Sequence, residues 1–187
     1  MKICYVLPQY NSNSSENFFH ITNFLSELGK KAEVYLVIEH SNEVPKINNI
    51  QEIVILDSGI GHLSRFIKIV KIYFELYNKG VLTFFSRASL TGVLPLIVAN
   101  RIINFNRANV VFWSCGQDVV PLSFVPTKKN FKRLVSKILA WASFKSVNYL
   151  ATGPELMGDY YQKHFKVPKN KILILYNDIS LERFYPI

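Results

Sequence analysis

Lys2-Ile3-Cys4-Tyr5-Val6-Leu7-Pro8, then the polar run Gln9-Tyr10-Asn11-Ser12-Asn13-Ser14-Ser15, then Phe18, Ile21, Leu25 and Leu28, is the stretch on which the fold turns. The opening run is short, apolar and rich in β-branched and aromatic residues, which suits a strand buried on both faces of a parallel sheet. Pro8 ends it. The spacing of the later apolar residues is that of one helix face. In a strand–loop–helix unit the loop lies at the carboxyl end of the strand, where open α/β sheets hold ligands, and the helix start offers unpaired N–H groups. Ser14, Ser15, Glu16 and His20 are therefore the first candidate site residues. Either serine equally suits an N-cap, and Glu16 suits the helix dipole while repelling a phosphate at the same place.

Outward from this unit, the chain repeats it. Glu33-Val34-Tyr35-Leu36-Val37-Ile38 reads as a second strand, residues 39–51 as a polar loop, and Ile53-Val54-Ile55-Leu56 as a third strand. A helix is predicted over 63–77, with Leu63, Phe66, Ile67, Val70, Phe74 and Tyr77 on its core face, Arg65, Lys68, Lys71 and Glu75 opposite, and Gly80 as its stop. Residues 81–85 follow as a strand, Ser86-Arg87-Ala88-Ser89 as a second polar loop, and 90–105 as a helix in which Pro95 is tolerable only near the start. Residues 109–114 form a strand leading into a third loop, Cys115-Gly116-Gln117-Asp118. A helix over 131–142 is expected to bury Phe131, Leu134, Val135, Ile138, Leu139 and Ala142. Two strands, 147–151 and 171–175, flank a last helix that begins at Thr152-Gly153-Pro154-Glu155. Alternation of this kind predicts one α/β domain over residues 1–187, doubly wound and Rossmann-like, with a mainly parallel sheet.

Composition narrows the function. Lys and Arg number 22 against 13 acidic residues, and residues 127–146 hold six basic groups and no acid, which favours an anionic partner. The two cysteines, Cys4 and Cys115, lie in strand-like runs without metal-ligand spacing, as expected in a reducing cytoplasm. His20, His40, His62 and His164 are likewise too scattered for a metal site. No apolar stretch is long enough to span a bilayer, and the first is too short for a signal peptide. Neither G-x-G-x-x-G after the first strand, nor a P-loop, nor a G-x-S-x-G elbow is present. Recognisable nucleic-acid motifs are also missing.

The opening Met1-Lys2-Ile3-Cys4-Tyr5-Val6-Leu7-Pro8, His20, the loop Gly116-Gln117-Asp118 and above all the closing Asn177-Asp178-Ile179-Ser180-Leu181-Glu182-Arg183-Phe184-Tyr185-Pro186 resemble the N-terminal half of a family 4, GT-B fold glycosyltransferase. The resemblance covers essentially the whole chain, and its most specific part is the closing segment, which in that family leads into the interdomain hinge (here Asn177, Phe184 and Pro186).

The resemblance implies a retaining, metal-independent transferase that moves a sugar from a nucleotide donor to a glycan or lipid-linked acceptor, as in cell-envelope polysaccharide synthesis. No cofactor is implied, the nucleotide sugar being a substrate. In the family the N-terminal domain holds the acceptor, and a C-terminal partner domain binds the donor. The 187-residue chain stops at the hinge, so no transfer is expected from it alone. Two departures qualify the likeness. The family's Gly-Gly in the first loop falls at Ser15-Glu16, where side chains stand between the backbone and a diphosphate. Its His-Gly falls at Cys115-Gly116, which removes an imidazole; Cys115 is either a weak donor there or a small buried thiol. Arg87 occupies a loop where many relatives have a histidine, either pairing with an anionic acceptor group or solvated. Asp118 and His20 match the pattern. These departures keep open an alternative, a non-catalytic binding or adaptor protein that retains the fold, and no catalytic residue is assigned. A last expectation is peripheral contact with an anionic membrane, at its cytoplasmic face, through Lys128, Lys129, Lys132, Arg133, Lys137 and Trp141; a solvated outer face is the plainer reading.

Overall fold

A computed structural model describes residues 1–11, 19–41, 43–56, 59–114 and 128–176, the side chains of 19–20 and 128–133 excepted. The elements run β1 Lys2–Leu7, α1 Phe19–Gly29, β2 Glu33–Ile38, β3 Ile50–Ile55, α2 His62–Asn78, β4 Thr83–Arg87, α3 Leu90–Ile97, β5 Asn109–Trp113, α4 Lys128–Ser146, β6 Tyr149–Thr152, α5 Glu155–Phe165 and β7 Ile172–Ile174. The seven strands form one sheet in the order β3-β2-β1-β4-β5-β6-β7, and every pairing is parallel. The expected doubly wound, Rossmann-like architecture is what the chain adopts.

Alternation along each strand sends side chains to two cores. Cys4 and Val6 of β1, Tyr35 and Val37 of β2, Phe84 of β4, Val110 and Phe112 of β5 and Leu150 of β6 face α2 to α5. Ile3, Tyr5, Leu7, Val34, Leu36 and Ile38 face the other way, onto Ile21 and Leu25 of α1. Gly80, at φ +85°, ends α2 as its position predicts.

Three helices depart from the sequence expectations. In α2 the buried residues are Arg65, Ile69, Tyr73 and Leu76, whereas Leu63 is 74% exposed and Ile67 is also exposed. Apolar residues occupy most of this helix's circumference, so the stripe alone does not fix its rotation. Polar anchors do. Tyr73 Oη donates to Asn100 Oδ1 at 2.9 Å and accepts from Asn104 Nδ2 at 2.9 Å. In α4 the buried residues are Ala140, Ser143 and Phe144, while Leu134, Val135, Ile138, Leu139 and Trp141 are exposed. Phe144 sets this rotation, packed among the rings of Phe112, Tyr161 and Phe165. The third departure is the predicted helix over 90–105. Pro95 stands inside α3, which ends at Ile97, and a π-helical turn, Val98–Ile103, follows. Proline removes one rung of the ladder, and beyond it the bonding widens, Asn104 N reaching Ala99 O at 2.9 Å.

Candidate functional site

The three polar loops predicted from sequence follow β1, β4 and β5, which are immediate neighbours in the sheet. The chain winds from β1 to β2 and β3 on one side and then returns to β4 on the other, so the switch point lies between β1 and β4. Ligands of open α/β sheets bind at that place, beyond the carboxyl ends of the strands. Of the residues singled out from sequence, Ser14, Ser15, Glu16, Cys115, Gly116 and Asp118 lie outside the described residues, as do Asn177, Phe184 and Pro186. His20 is in the first turn of α1, its side chain outside the description. The same holds for Lys128, Lys129, Lys132 and Arg133 in the first two turns of α4.

Arg87 is the candidate whose surroundings can be described. It is the last residue of β4, half-buried, with its guanidinium carbon 4.3 Å from the centre of the Trp113 ring at the end of β5. Trp113 meets Phe85 edge-on, and Phe85 stacks on Tyr5 with centroids 4.8 Å apart. An aromatic row thus crosses β1, β4 and β5 on one face and ends under a cation. Among the described residues no carboxylate pairs with Arg87, whose planar fork of donors is of the kind that binds an anionic group.

The next residue, Ala88, has φ +48°, a left-handed conformation that costs a residue with a Cβ about 1–2 kcal/mol. It is fixed there on both sides. Ala88 N donates to Trp113 O at 2.7 Å, and Ser89 caps α3, its Oγ accepting from Gly92 N at 3.0 Å. The strained residue turns the chain from strand into helix within one peptide, which holds Arg87 on one face of the sheet and Ser89 on the other.

Sequence reading missed Glu39. It directly follows β2, in a stretch taken for polar loop, yet it is 1% exposed. Its carboxylate accepts from Ser89 Oγ and, at 2.6 Å, from Thr91 Oγ1, so it sits at the N-terminus of α3. A Cβ on Gly92 would stand 2.8 Å from Glu39 Oε1, which makes glycine part of this arrangement. The N-terminus of α3, one of the two helix ends that follow the strands flanking the switch point, is therefore closed by the protein's own carboxylate, held through the hydroxyls of Ser89 and Thr91. The one signal in the sequence was an acid placed immediately after an unbroken apolar run.

A second set of bonds holds the start of the third loop. Ser114 is buried, its Oγ accepting from Tyr161 Oη at 2.7 Å and its carbonyl from Thr152 Oγ1 at 3.2 Å, while Ser114 N donates to Ala151 O at 3.0 Å. Further along the same rim Tyr176 donates to Glu155, which lowers the Glu155 carboxyl below its ordinary range and raises the Tyr176 hydroxyl. Cys4, completely buried in β1, has its thiol pushed far above the usual range by desolvation and is chemically silent. A hollow of about 480 Å³ lined by Met1, Lys31, Glu33, Asn49 and Gln51 lies at the amino end of the sheet, away from this rim. Among the described residues no cluster of His, Cys, Asp and Glu is fit to hold a metal, and no helix is long and apolar enough to cross a membrane.

No protein-family model matches the chain, and no curated protein does. Solved structures do match. UDP-GlcNAc 2-epimerase from Methanocaldococcus jannaschii aligns with a TM-score of 0.56 at 12% identity, over 95% of this chain and 46% of its own. HepE from Anabaena, solved with UDP and glucose, gives 0.56 at 11%, over 97% and 46%. A UGT transferase from Siraitia grosvenorii, solved with UDP, gives 0.57 at 8%, over 96% and 52%. At these identities the likeness is one of fold: the chain has a GT-B-like, Rossmann-type architecture and spans about half the length of the structures it matches.

Proposed function

We propose that this chain is the acceptor-holding half of a retaining, metal-independent glycosyltransferase of the family 4 type, acting with a donor-binding domain on a glycan or lipid-linked acceptor. The observation that carries this reading is the filled N-terminus of α3. A donor diphosphate needs a bare, positive helix end, and the N-terminus of α3, which shares the switch point with that of α1, already holds the Glu39 carboxylate, two of whose hydrogen bonds come from Ser89 and Thr91. The sequence adds a second like charge, Glu16, where the family has glycine. Both features turn a nucleotide sugar away from this wall of the cleft and leave it to the acceptor.

In this reading Arg87 and Trp113 form the acceptor platform. The indole offers an apolar plane for a sugar ring, and the guanidinium stacked on it retains donors for a phosphate or carboxylate on the acceptor. Ala88 and Ser89 set the position of that platform, and Ser114 sets the start of the loop bearing Cys115, Gly116 and Asp118. Transfer itself belongs to the assembled cleft, since proximity accelerates nothing until both reactants are held.

Titration of the chain with nucleotide sugars and with soluble or lipid-linked glycans tests this. Binding of a glycan that weakens in Arg87→Ala, with at most weak binding of nucleotide sugars, is the expected result. Micromolar affinity for a nucleotide sugar would overturn the assignment. The second reading, an adaptor without transfer chemistry, is favoured by Ser15-Glu16 and Cys115. It would be supported by failure to transfer sugar when the chain is supplied with a competent donor-binding domain.

A further inference from the structure

We propose that the N-terminus of α2 binds a phosphate group, held by the N–H groups of the first turn and by the buried guanidinium of Arg65. The expectation from sequence put Arg65 on the solvent side of this helix. The structure leaves it 5% exposed. The one hydrogen bond its side chain makes among the described residues is long, Nη2 donating to Ile60 O at 3.4 Å, and its Nε is buried with no acceptor. No carboxylate among the described residues pairs with it. A guanidinium does not shed its charge by losing a proton, and a buried cation without a counter-charge is strongly destabilising. An anion supplied from outside the chain answers that charge.

The helix sets the place for that anion. Helical side chains lean toward the N-terminus, and the contact with Ile60 O carries the Arg65 guanidinium back to the loop that precedes the first turn. Arg65 N donates to Gly61 O at 3.0 Å, so the N–H groups of His62, Leu63 and Ser64 lie ahead of the helical ladder and point out of the helix end. The N-cap, Gly61, has no side chain to close that end, and the first turn holds no acid. With φ −65° and ψ 162°, its backbone suits any residue. A Cβ on Gly59 or Gly61 would meet nothing within 4 Å, so packing requires neither glycine, and what the pair supplies is bare backbone facing open space. Several N–H donors on one side and a planar fork on the other match the oxygens of a phosphate. The end of α3 is the opposite case, since Glu39 already closes it. This site follows β3, at the edge of the sheet, and is separate from Arg87 at the switch point.

The test is independent of any transfer chemistry. The isotopically labelled chain is titrated with inorganic phosphate at constant ionic strength and followed by amide NMR. Saturable shifts concentrated at residues 61–65 are expected. Ser64→Asp, at an exposed position, sets a carboxylate at the same helix end; it should weaken binding by at least about tenfold while holding or raising the thermal melt. Arg65→Gln should weaken binding by about tenfold, and if that variant does not fold, Ser64→Asp alone decides. Leu82→Asp adds the same charge at the amino end of the sheet and should change binding by less than about twofold. Shifts spread over surface lysines, absence of saturation, or binding indifferent to Ser64→Asp would overturn the proposal. A sugar phosphate and UDP then separate the sources of the phosphate. Tighter binding of the sugar phosphate than of inorganic phosphate at these amides supports the site as part of the acceptor surface. Micromolar binding of UDP at the same amides supports the site and overturns the acceptor-holding reading.

Discussion

Two buried polar clusters lie at opposite ends of this sheet, and they are built on different principles. At the amino end Asn100 Nδ2 donates to Ala108 O at 2.9 Å and to Asn106 Oδ1 at 3.1 Å, its Oδ1 accepts from Ala108 N at 3.0 Å and from Tyr73, and Asn148 Oδ1 accepts from Val110 N at 3.0 Å. Every partner is neutral, and the donors and acceptors answer one another. At the carboxyl end, beside the switch point, Glu39, Ser89 and Thr91 enclose a carboxylate, a neighbouring alanine is held left-handed, and Gly92 is required to make room. The first cluster joins α2, the π-helical turn, β5 and the start of β6. The second adds a buried charge and a close backbone approach where the fold binds ligands, while left-handed residues occur beside both, Ala88 here and Phe105 and Asn106 at the amino end.

If this contrast is right, the amino-end cluster should dominate stability. Asn100→Ala takes the acceptor from the Tyr73 hydroxyl, which keeps only its bond from Asn104, and the partner from both polar groups of Ala108, and should cost about 3 kcal/mol or more in urea unfolding. A cost under about 1 kcal/mol would remove the contrast.

At the other end, Gly92→Ala should destabilise by about 1–3 kcal/mol, because its Cβ meets Glu39 Oε1 at 2.8 Å and Ser86 Oγ at 3.1 Å. The penalty should shrink in a Glu39→Ala background, and a double-mutant cycle in which the two changes simply add would separate Gly92 from Glu39. Ala88→Gly has the opposite sign. Relief of the left-handed backbone should raise stability by about 1 kcal/mol, with loss rather than gain in glycan binding as the Arg87 turn loosens.

The smallest effect concerns the exposed Glu155–Tyr176 contact. Its hydrogen bond holds the Glu155 pKa below the unfolded value, so the contribution is complete above the ordinary glutamate range and is lost as pH falls through the folded pKa. A carboxyl titration followed by NMR should move back toward the ordinary range in Tyr176→Phe; an unmoved titration would discount the contact.

Much of this molecule is legible in its sequence. Apolar runs of the right length, polar loops between them and Gly80 at a helix end give the order of elements and a mainly parallel sheet, which the structure shows to be parallel at every pairing. The rotations of α2 and α4 are not legible, for a stated reason. Both helices carry apolar residues over a wide arc, and the choice among possible faces was made by Tyr73 reaching Asn100 and by Phe144 entering an aromatic cluster. Those partners are remote in sequence. Glu39 was hidden for a related reason, since a carboxylate after a strand resembles any loop residue until α3 supplies two hydroxyls and a helix end to it.

The sequence by itself determined the alternation of strands and helices and the rim on which the candidate loops begin, because periodicity and chain-breaking residues act locally. Only the tertiary structure decided that Glu39 closes the α3 terminus, that Arg87 lies on Trp113, and that α4 shows its apolar side to solvent. Each of these is a contact, or an absence of cover, between segments far apart along the chain, and such pairings are settled when the sheet closes and the helices must share its faces.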